Sequence, residues 1–240
     1  MSLNGTHLAV AEAARVRVRA LHPGIRVVVL EGRGARRPRR EPSEIVSGSG
    51  RSIRRLRTVD TSYRRLVASD ADLLADFLIN GSWPFHGPAA LDRDTIRQRV
   101  FDGFYDGDES RTFWIVEGGE RVGLIRLFDL ADVPEGGTPL FDLRVDSAYR
   151  GRGLGGQALV WLTGYLFTEF PDLQRIEGTT RKDNRAMRRT FLSCGYAKEA
   201  HYRDAWPGEQ GHVHDAVGYA ILRRDRLSGV TTPPDWNDET

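Results

Sequence analysis

Cysteine and long apolar runs are nearly absent from this sequence of 240 residues. Its single cysteine, Cys194, excludes an internal disulfide framework and is typical of a protein kept in a reducing cytoplasm. No apolar run approaches the roughly eighteen residues that a bilayer-spanning helix needs. We therefore expect a cytoplasmic protein with no membrane partner.

Acidic residues are scarce in the first part of the chain. Residues 1–57 contain 13 Arg and 4 Glu, a net charge of +9, whereas the whole chain has a formal net charge of +2. The remaining residues therefore carry a net charge of −7, the difference between the two. An acidic body suits a basic acceptor such as an amine, although an acidic surface that only maintains solubility explains the charge equally well.

Aromatic residues are missing from the basic run between Arg36 and Arg40. Proteins that bind single-stranded nucleic acid interleave basic and aromatic side chains, so this run favours a solvated tail over a nucleic-acid site. Residues 31–57 are rich in Arg, Pro, Gly and Ser, a composition typical of flexible segments. We divide the chain into a basic, flexible N-terminal extension (1–57), one domain (58–226) and a flexible C-terminal tail (227–240).

Apolar periodicity and turn residues predict alternating strands and helices from about Thr58 onward. Gly118-Gly119 indicates a tight hairpin, and Trp206-Pro207-Gly208 indicates a turn between the last two strands. An amphipathic run from Gly156 to Phe170 predicts a long helix. The predicted order is strand, two helices, three strands, helix, strand, helix and two strands, which is an α+β fold with a mixed sheet and helices on its faces.

A glycine-rich stretch, Arg150 to Gly156, joins a strand-like run at residues 139–145 to the long helix. Strand, glycine turn and helix together aim backbone N–H groups at an anion. Glycine lets the backbone approach closely, and a helix N-terminus carries partial positive charge. We therefore predict a phosphate-binding cradle in this stretch.

Two kinds of phosphate cradle match the glycine-rich stretch. Gly151, Gly153 and Gly156 fit G-x-G-x-x-G, the dinucleotide fingerprint, and an acidic residue, Glu177, lies about twenty residues beyond it. However, several residues separate the strand from the first glycine, and the rest of the chain is too short for a doubly wound sheet. The pattern Arg-x-x-Gly-x-Gly, filled by Arg150, Gly153 and Gly155, is therefore favoured.

Arg-x-x-Gly-x-Gly resembles the pyrophosphate loop of the Gcn5-related N-acetyltransferases (GNAT), which bind acetyl-coenzyme A. The resemblance covers residues 60–226 and includes the order of strands and helices. Within the superfamily the chain is most similar to the RimJ/RimL-like group, through N-R-A-M-R-R-T-F-L-S-C-G-Y at residues 184–196 and H-D-A-V-G-Y-A-I-L at residues 214–222. The resemblance implies a GNAT-like, mixed and mostly antiparallel central sheet flanked by helices, and an acyltransferase.

The resemblance also implies how such an enzyme works. Acetyl would pass directly from acetyl-coenzyme A to a primary amine of a protein N-terminus, an amino acid or a small molecule, without an acyl-enzyme. The coenzyme would enter a splay between two parallel strands, where a backbone N–H of the central strand holds the thioester carbonyl. The implied coenzyme-binding residues are Leu143, Arg144, Val145, Arg150, Gly151, Arg152, Gly153, Leu154, Gly155, Asn184 and Phe191.

Three side chains are candidates for the general base that takes a proton from the amine: Asp142, Glu177 and His86. Asp142 lies on the central strand among apolar residues, where burial is expected to raise its pKa toward a useful value. The alternative is that Asp142 pairs with Arg144 or Arg126 for structural reasons. Strand alternation places Asp142 and Arg144 on one face, and we expect the opposite, apolar face to meet the long helix.

The usual proton donors for the departing thiolate are missing. Many family members carry a Tyr where this chain has Phe191, and RimL-like relatives carry a Ser where it has Met187. The source of this proton stays open: it could be another tyrosine (Tyr165, Tyr196 or Tyr202) or water, or no donor could be needed. We expect Phe191 to pack against the pantetheine or the core.

The aromatic loop from Trp83 to His86 is expected to line the acceptor site through Trp83 and Phe85. No cluster of residues has metal-ligand spacing, so no metal is expected. We expect the acceptor to be a small-molecule or peptide amine, and a homodimer is left open. One alternative function follows from the missing donors, a non-catalytic coenzyme A-binding module or sensor of the same fold.

Overall fold

The computed structural model describes residues 60–86, 92–208 and 211–236, so the predictions for residues 1–57 lie outside the described residues. The elements are β1 (Thr61–Arg65), α1 (Ala71–Asn80), α2 (Arg93–Phe101), β2 (Arg111–Glu117), β3 (Glu120–Phe128), β4 (Leu140–Val145), α3 (Leu154–Glu169), β5 (Arg175–Arg181), α4 (Arg185–Ser193), β6 (Ala197–Pro207), β7 (Val213–Leu222) and α5 (Arg223–Ser228). The predicted α+β order is confirmed, with α5 in addition. None of the helices in the described ranges is long and apolar enough to cross a membrane.

The described strands form two antiparallel sheets, ordered β1-β2-β3-β4 and β5-β7-β6. Gly118 and Gly119 join β2 to β3 with φ angles of 59° and 91°, the left-handed values that the predicted tight turn requires. Hydrogen-bonded pairing stops at β4 in the first sheet and at β5 in the second. We call the space between these two open strand edges the intersheet gap.

Backbone groups of β4 and β5 point into the intersheet gap. The N–H of Asp146 donates to a β3 carbonyl at 2.9 Å, so alternation turns the even-numbered residues of β4 toward β3 and the odd-numbered Leu143 and Val145 toward the gap. The N–H of Lys182 donates to a β7 carbonyl at 2.9 Å, which likewise turns the odd-numbered residues of β5 toward the gap. Each of these strands therefore has one edge that pairs with no other strand of the described ranges.

Two apolar cores hold the helices on the sheets. The larger one contains Phe141 of β4, Leu162 of α3 and Ile176 of β5, so it packs α3 against strands of both sheets. The second packs α1 and α2 on the other face of the first sheet around Trp114, which is fully buried. Because Phe141 faces α3, strand alternation places Asp142 on the opposite face, as predicted.

The predicted turn at Trp206-Pro207-Gly208 is wrong in its first two residues. Trp206 and Pro207 end strand β6 and pair with His214 and Val213 of β7. A proline is tolerated there because β6 lies at the edge of its sheet, where a missing N–H leaves no neighbouring strand without a donor.

The end of the domain is held by contacts beyond the predicted boundary at residue 226. Helix α5 continues to Ser228. Further on, the backbone N–H and side-chain hydroxyl of Thr232 donate to the buried carboxylate of Asp225 at 3.1 and 2.7 Å. The hydroxyl of Thr231 donates to the carbonyl of Gly195 at 3.1 Å. The first residues of the predicted tail therefore pack on the domain.

Candidate active site

The glycine-rich stretch forms an open turn that ends at the N-terminus of α3. Gly151 and Gly153 have φ angles of 78° and 84°, in the left-handed region that favours glycine. Gly153 is the N-cap of α3 and supplies no capping side chain, so the first N–H groups of the helix keep their hydrogen-bonding capacity. A Cβ at Gly153 or Gly155 would meet nothing within 4 Å. This exposed backbone at a helix N-terminus fits the pyrophosphate of coenzyme A.

The two arginine side chains of the cradle are directed toward the protein. Arg150 donates through Nε to the carbonyl of Val145 at 2.9 Å and through Nη2 to the carbonyl of Ser82. Arg152 donates to the carbonyl of Ala148 at 2.9 Å, within its own turn. Arg150 therefore connects the cradle to the aromatic loop, a link that nothing in the sequence pattern indicates.

The aromatic loop, which comprises residues 82–86, is fixed by Trp83. The Trp83 indole donates from Nε1 to the carbonyl of Leu78 at 3.0 Å. The guanidinium groups of Arg144 and Arg150 lie 5.3 and 5.7 Å from the centroid of its ring. A Cβ on Gly81 would lie 2.1 Å from the same ring, so glycine is required before the loop. Trp83 thus serves as an anchor, and its ring is only partly available to an acceptor.

A second contact ties the aromatic loop to the other side of the intersheet gap. Arg181 of β5 donates to the carbonyl of Pro84 at 3.2 Å and lies 5.2 Å from the centroid of the Phe85 ring. Because Arg150 and Arg144 hold the same loop from the β4 side, the loop bridges the two sheets. Phe85, a predicted acceptor contact, is half-buried at this bridge.

Two of the three candidate bases meet at the end of this loop. His86 Nε2 lies 3.0 Å from Asp142 Oδ1, an ion-pair contact, and the two side chains are 26% and 23% exposed. Arg144 donates from Nε to Asp142 Oδ2 at 2.8 Å, on the strand face where alternation predicts both residues. His86 and Asp142 are 56 positions apart, and the sequence alone offered them as alternative candidates for the same role. The structure brings them together as partners.

The expected rise in the pKa of Asp142 is wrong. Burial alone would raise that pKa, as the sequence argument assumed. The positive charges of His86 and Arg144, and the contacts that both make with the carboxylate, outweigh burial and hold the pKa of Asp142 well below its usual range. A carboxylate that stays ionised in this way is a weak base, but it can orient a histidine that acts as one.

Glu177 lies apart from this pair. Its carboxylate accepts hydrogen bonds from Arg175 Nε and Nη2 at 3.2 and 2.8 Å, and the same guanidinium bonds Glu199 of β6 through Nη1 at 2.5 Å. These three residues line a small pocket on the second sheet together with Tyr202. Glu177 is therefore held in an ion cluster with Arg175 and Glu199, a set of residues that does not include Asp142.

Asn184 and Phe191, both implied coenzyme contacts, have structural partners. Asn184 caps α4, since its Oδ1 accepts from the N–H of Met187 at 3.1 Å and its Nδ2 donates to Thr180 at 3.1 Å. Phe191 is fully buried and stacks on Tyr219, with ring centroids 4.9 Å apart. Phe191 was expected to pack against the pantetheine or the core. In the structure it packs in the core, because α4 places this face against the second sheet.

None of the three tyrosines considered as thiolate donors is free and close to the cradle. Tyr196 is buried against the Thr163 hydroxyl at 2.8 Å, and Tyr165 accepts from Arg111 at 2.9 Å. Burial raises the pKa of both phenols, so each holds its proton more firmly than an exposed tyrosine. Tyr202 is 38% exposed but lies on β6, the edge strand of its sheet on the side away from β5.

These features define a class of protein: an α+β fold with two sheets, a phosphate cradle at a helix N-terminus, and a histidine–carboxylate pair beside the gap between the sheets. Residues 76–196, just over half of the chain, match the family model described as the acetyltransferase (GNAT) family. The chain belongs to this family of acyltransferases, whose members use acetyl-coenzyme A. A search of curated proteins found no match.

Solved structures with the same fold include several N-acetyltransferases. RimL, a ribosomal L7/L12 alpha-N-protein acetyltransferase in complex with coenzyme A, is 17% identical with a TM-score of 0.59, over 69% of this chain and 94% of RimL. A dodecameric spermidine N-acetyltransferase from Vibrio cholerae is 19% identical with a TM-score of 0.58, over 70% and 97%. A probable acetyltransferase is 24% identical with a TM-score of 0.58, over 69% and 94%. Identities this low show the shared fold alone.

Proposed function

We propose that this protein transfers an acetyl group from acetyl-coenzyme A directly to a primary amine, carried by a protein N-terminus, an amino acid or a small molecule. We place it in the RimJ/RimL-like group, on the motifs at residues 184–196 and 214–222 and on its likeness to RimL. The observation that carries the proposal is the contact between His86 and Asp142 beside the intersheet gap, 3.0 Å between nitrogen and oxygen.

The cradle would hold the coenzyme through its backbone. The N–H groups at the start of α3 would hold the pyrophosphate, and the helix N-terminus adds partial positive charge. The glycines at 151, 153 and 155 allow the close approach that side chains would prevent. Bound coenzyme supplies a thioester, an activated acetyl group.

The open edge of β4 would stabilise the reacting carbonyl. Leu143 and Val145 turn their backbone N–H groups into the gap, and such donors favour the negative charge that develops on oxygen. The carbonyl of Val145 is already bonded to Arg150, which fixes this part of the strand. The edge and the cradle together would hold the acetyl group in place for attack.

His86 would accept the proton that the amine loses. Asp142 fixes the histidine ring through Nε2, and Arg144 fixes Asp142 in turn. The new C–N bond forms as the C–S bond breaks, the amine proton passes to His86, and the thiolate leaves. We propose that water supplies the proton that the thiolate takes up, because Tyr165 and Tyr196 are buried with other partners.

Thiol release in the presence of acetyl-coenzyme A tests this function directly. The acceptor panel contains peptides with a free N-terminus, free amino acids and polyamines, and product mass identifies the acetylated amine. We expect turnover on at least one class. Tight coenzyme binding without turnover on any amine would instead support the non-catalytic coenzyme A-binding module.

We also propose that the catalytic domain begins near Thr58 after a basic extension, and that the protein acts in the cytoplasm. The contacts of Thr231 and Thr232 move the proposed end of the domain from residue 226 to about residue 232. An oligomer is a further proposal, supported only by the dodecameric spermidine N-acetyltransferase, and sedimentation of the purified protein tests it.

A further inference from the structure

Positive charge is in excess around Asp142. Arg126 of β3 is the direct cross-strand partner of Asp142, and Arg144 is the next residue on the same face of β4. His86 contacts the same carboxylate from the aromatic loop. Two guanidinium groups and a histidine thus surround one carboxylate, which Arg144 and His86 already occupy.

Four polar atoms of this cluster have no hydrogen bond within the described part of the chain, and all four are shielded from solvent. They are Nε of Arg126, Nη1 of Arg144, Nδ1 of His86 and Oδ1 of Asp142, which lies 3.0 Å from His86 Nε2. The two guanidinium atoms are charged donors, and a buried charged donor without an acceptor costs free energy. Two such donors in one cluster indicate that an acceptor of hydrogen bonds belongs beside Arg126 and Arg144.

Arg126 has the weakest compensation for its charge. Its Nη2 donates to two neutral oxygens, the carbonyl of Phe104 at 2.8 Å and the hydroxyl of Ser110 at 3.4 Å. Its guanidinium lies over the rings of Phe104 and Phe128, at 3.9 and 4.9 Å. Burial lowers the pKa of Arg126 to about 10, and Tyr105 and the carboxylates of Asp142 and Asp129 offset this only in part. An additional anion would stabilise this site.

We propose that the acceptor is an amine that carries a carboxylate a few bonds from its nitrogen, and that the carboxylate binds to Arg126 and Arg144. The inference rests on the proposed function, because His86 in the same cluster takes the amine proton. A carboxylate at this place satisfies the guanidinium groups and brings the amine beside His86. A polyamine would instead add an ammonium group to a cluster that is already positive.

The test compares acceptors that differ only in the carboxylate. Pairs such as β-alanine and β-alaninamide, or a peptide with an acidic first residue and its amide analogue, separate the free amino acid from the peptide source. Replacing the carboxylate by an amide lowers the basicity of the acceptor's amine. The comparison therefore uses pH-independent kcat/KM values. We expect the carboxylate member of a pair to be favoured about ten- to one-hundred-fold, the scale of a hydrogen bond to a charged group.

Arg126 variants assign the preference to this cluster. Arg126→Gln should lose the preference yet retain turnover of the carboxamide, and Arg126→Lys should keep part of it. Arg99→Gln is the matched control, because the Arg99 guanidinium lies 4.9 Å from the same Phe104 ring and its loss changes the net charge equally. Circular dichroism checks that each variant folds, and the comparison of acceptors on the unmodified protein needs no variant.

The outcomes separate this inference from the proposed function. Turnover without preference for the carboxylate member would overturn the inference and leave the acetyltransferase activity in place. A preference that survives Arg126→Gln unchanged would overturn the assigned site. Absence of turnover on every amine would contradict the proposed function itself.

Discussion

The cradle and the acceptor cluster are built in opposite ways. The proposed cradle is one contiguous stretch, residues 150–155, and it would act through backbone N–H groups and the helix that follows. The acceptor cluster combines side chains from the aromatic loop, β3 and β4, such as His86, Arg126 and Asp142. One site depends on local conformation, and the other depends on tertiary packing and strand register.

This difference predicts that the two sites fail separately. A backbone site is lost when a side chain fills it or when the turn changes shape, and charge elsewhere matters little. A side-chain site is lost when one partner is removed, because the remaining buried charges then lack compensation. The aromatic loop is the exception, since Arg150 of the cradle holds the loop that carries His86.

The largest effect is expected at the cradle. Gly153→Asp should lower the affinity for acetyl-coenzyme A by more than about one-hundred-fold, because it adds a side chain and a negative charge where pyrophosphate approaches. Calorimetry measures the affinity. Gly136→Asp is the matched control, since Gly136 has a φ of 81° and equal space but lies in another loop. Unchanged affinity in folded Gly153→Asp would remove the coenzyme from this turn.

The second effect concerns catalysis without binding. His86→Ala and Asp142→Asn should each lower kcat by about ten- to ten-thousand-fold, the usual scale of general acid–base contributions, with coenzyme affinity nearly intact. Because the two residues act as a unit, the double variant should be little worse than the poorer single variant. Steady-state kinetics across pH gives the rates.

Glu177→Gln is the control for that pair, and we expect it to keep most of its turnover. If Glu177→Gln loses activity while the His86 and Asp142 variants keep it, the base is Glu177. Full activity in all three variants would mean that water removes the proton and that no single side chain is the base.

A smaller effect should reveal the connection between the two sites. Arg150→Gln removes the hydrogen bonds to Val145 and Ser82, so kcat/KM for the acceptor should fall about ten-fold, more than the affinity for coenzyme. Arg152→Gln makes the same charge change, but Arg152 bonds Ala148 of its own turn and lies 3.7 Å from Glu117 of β2. Equal losses of coenzyme affinity in both variants would show that Arg150 acts on phosphate through its charge.

The smallest effect is expected from the N-terminal extension. A chain that begins at Thr58 should bind coenzyme and melt as the full chain does, because residues 31–57 have a composition that buries little apolar surface. Differential scanning calorimetry and coenzyme titration measure both properties. An insoluble product, or a much lower melting temperature, would place the extension against the domain.

The cradle could be predicted because its information is local. Glycine spacing and the amphipathic run after it specify a turn and a helix within a few residues, and the structure has both, with the helix beginning at Leu154 instead of Gly156. The position of β6 at the edge of its sheet depends on its pairing with β7, which the local sequence does not show. Trp206 and Pro207 were therefore assigned to a turn.

The acceptor cluster could be predicted only as a set of separate candidates. Asp142 and His86 were both named, but the contact between them depends on how the aromatic loop folds over β4. Arg126 was considered only as a structural partner of Asp142. Its position opposite that residue follows from the β3–β4 register, which no short-range pattern specifies.

The sequence by itself determined the α+β order of elements, the glycine turn before α3 and the strand face that carries Asp142, because periodicity and glycine placement act over a few residues. Only the tertiary structure decided that Asp142 and His86 are partners, that Glu177 belongs to another cluster and that the pKa of Asp142 falls. A pKa depends on every charge within a few ångströms, and packing across the two sheets determines which charges those are.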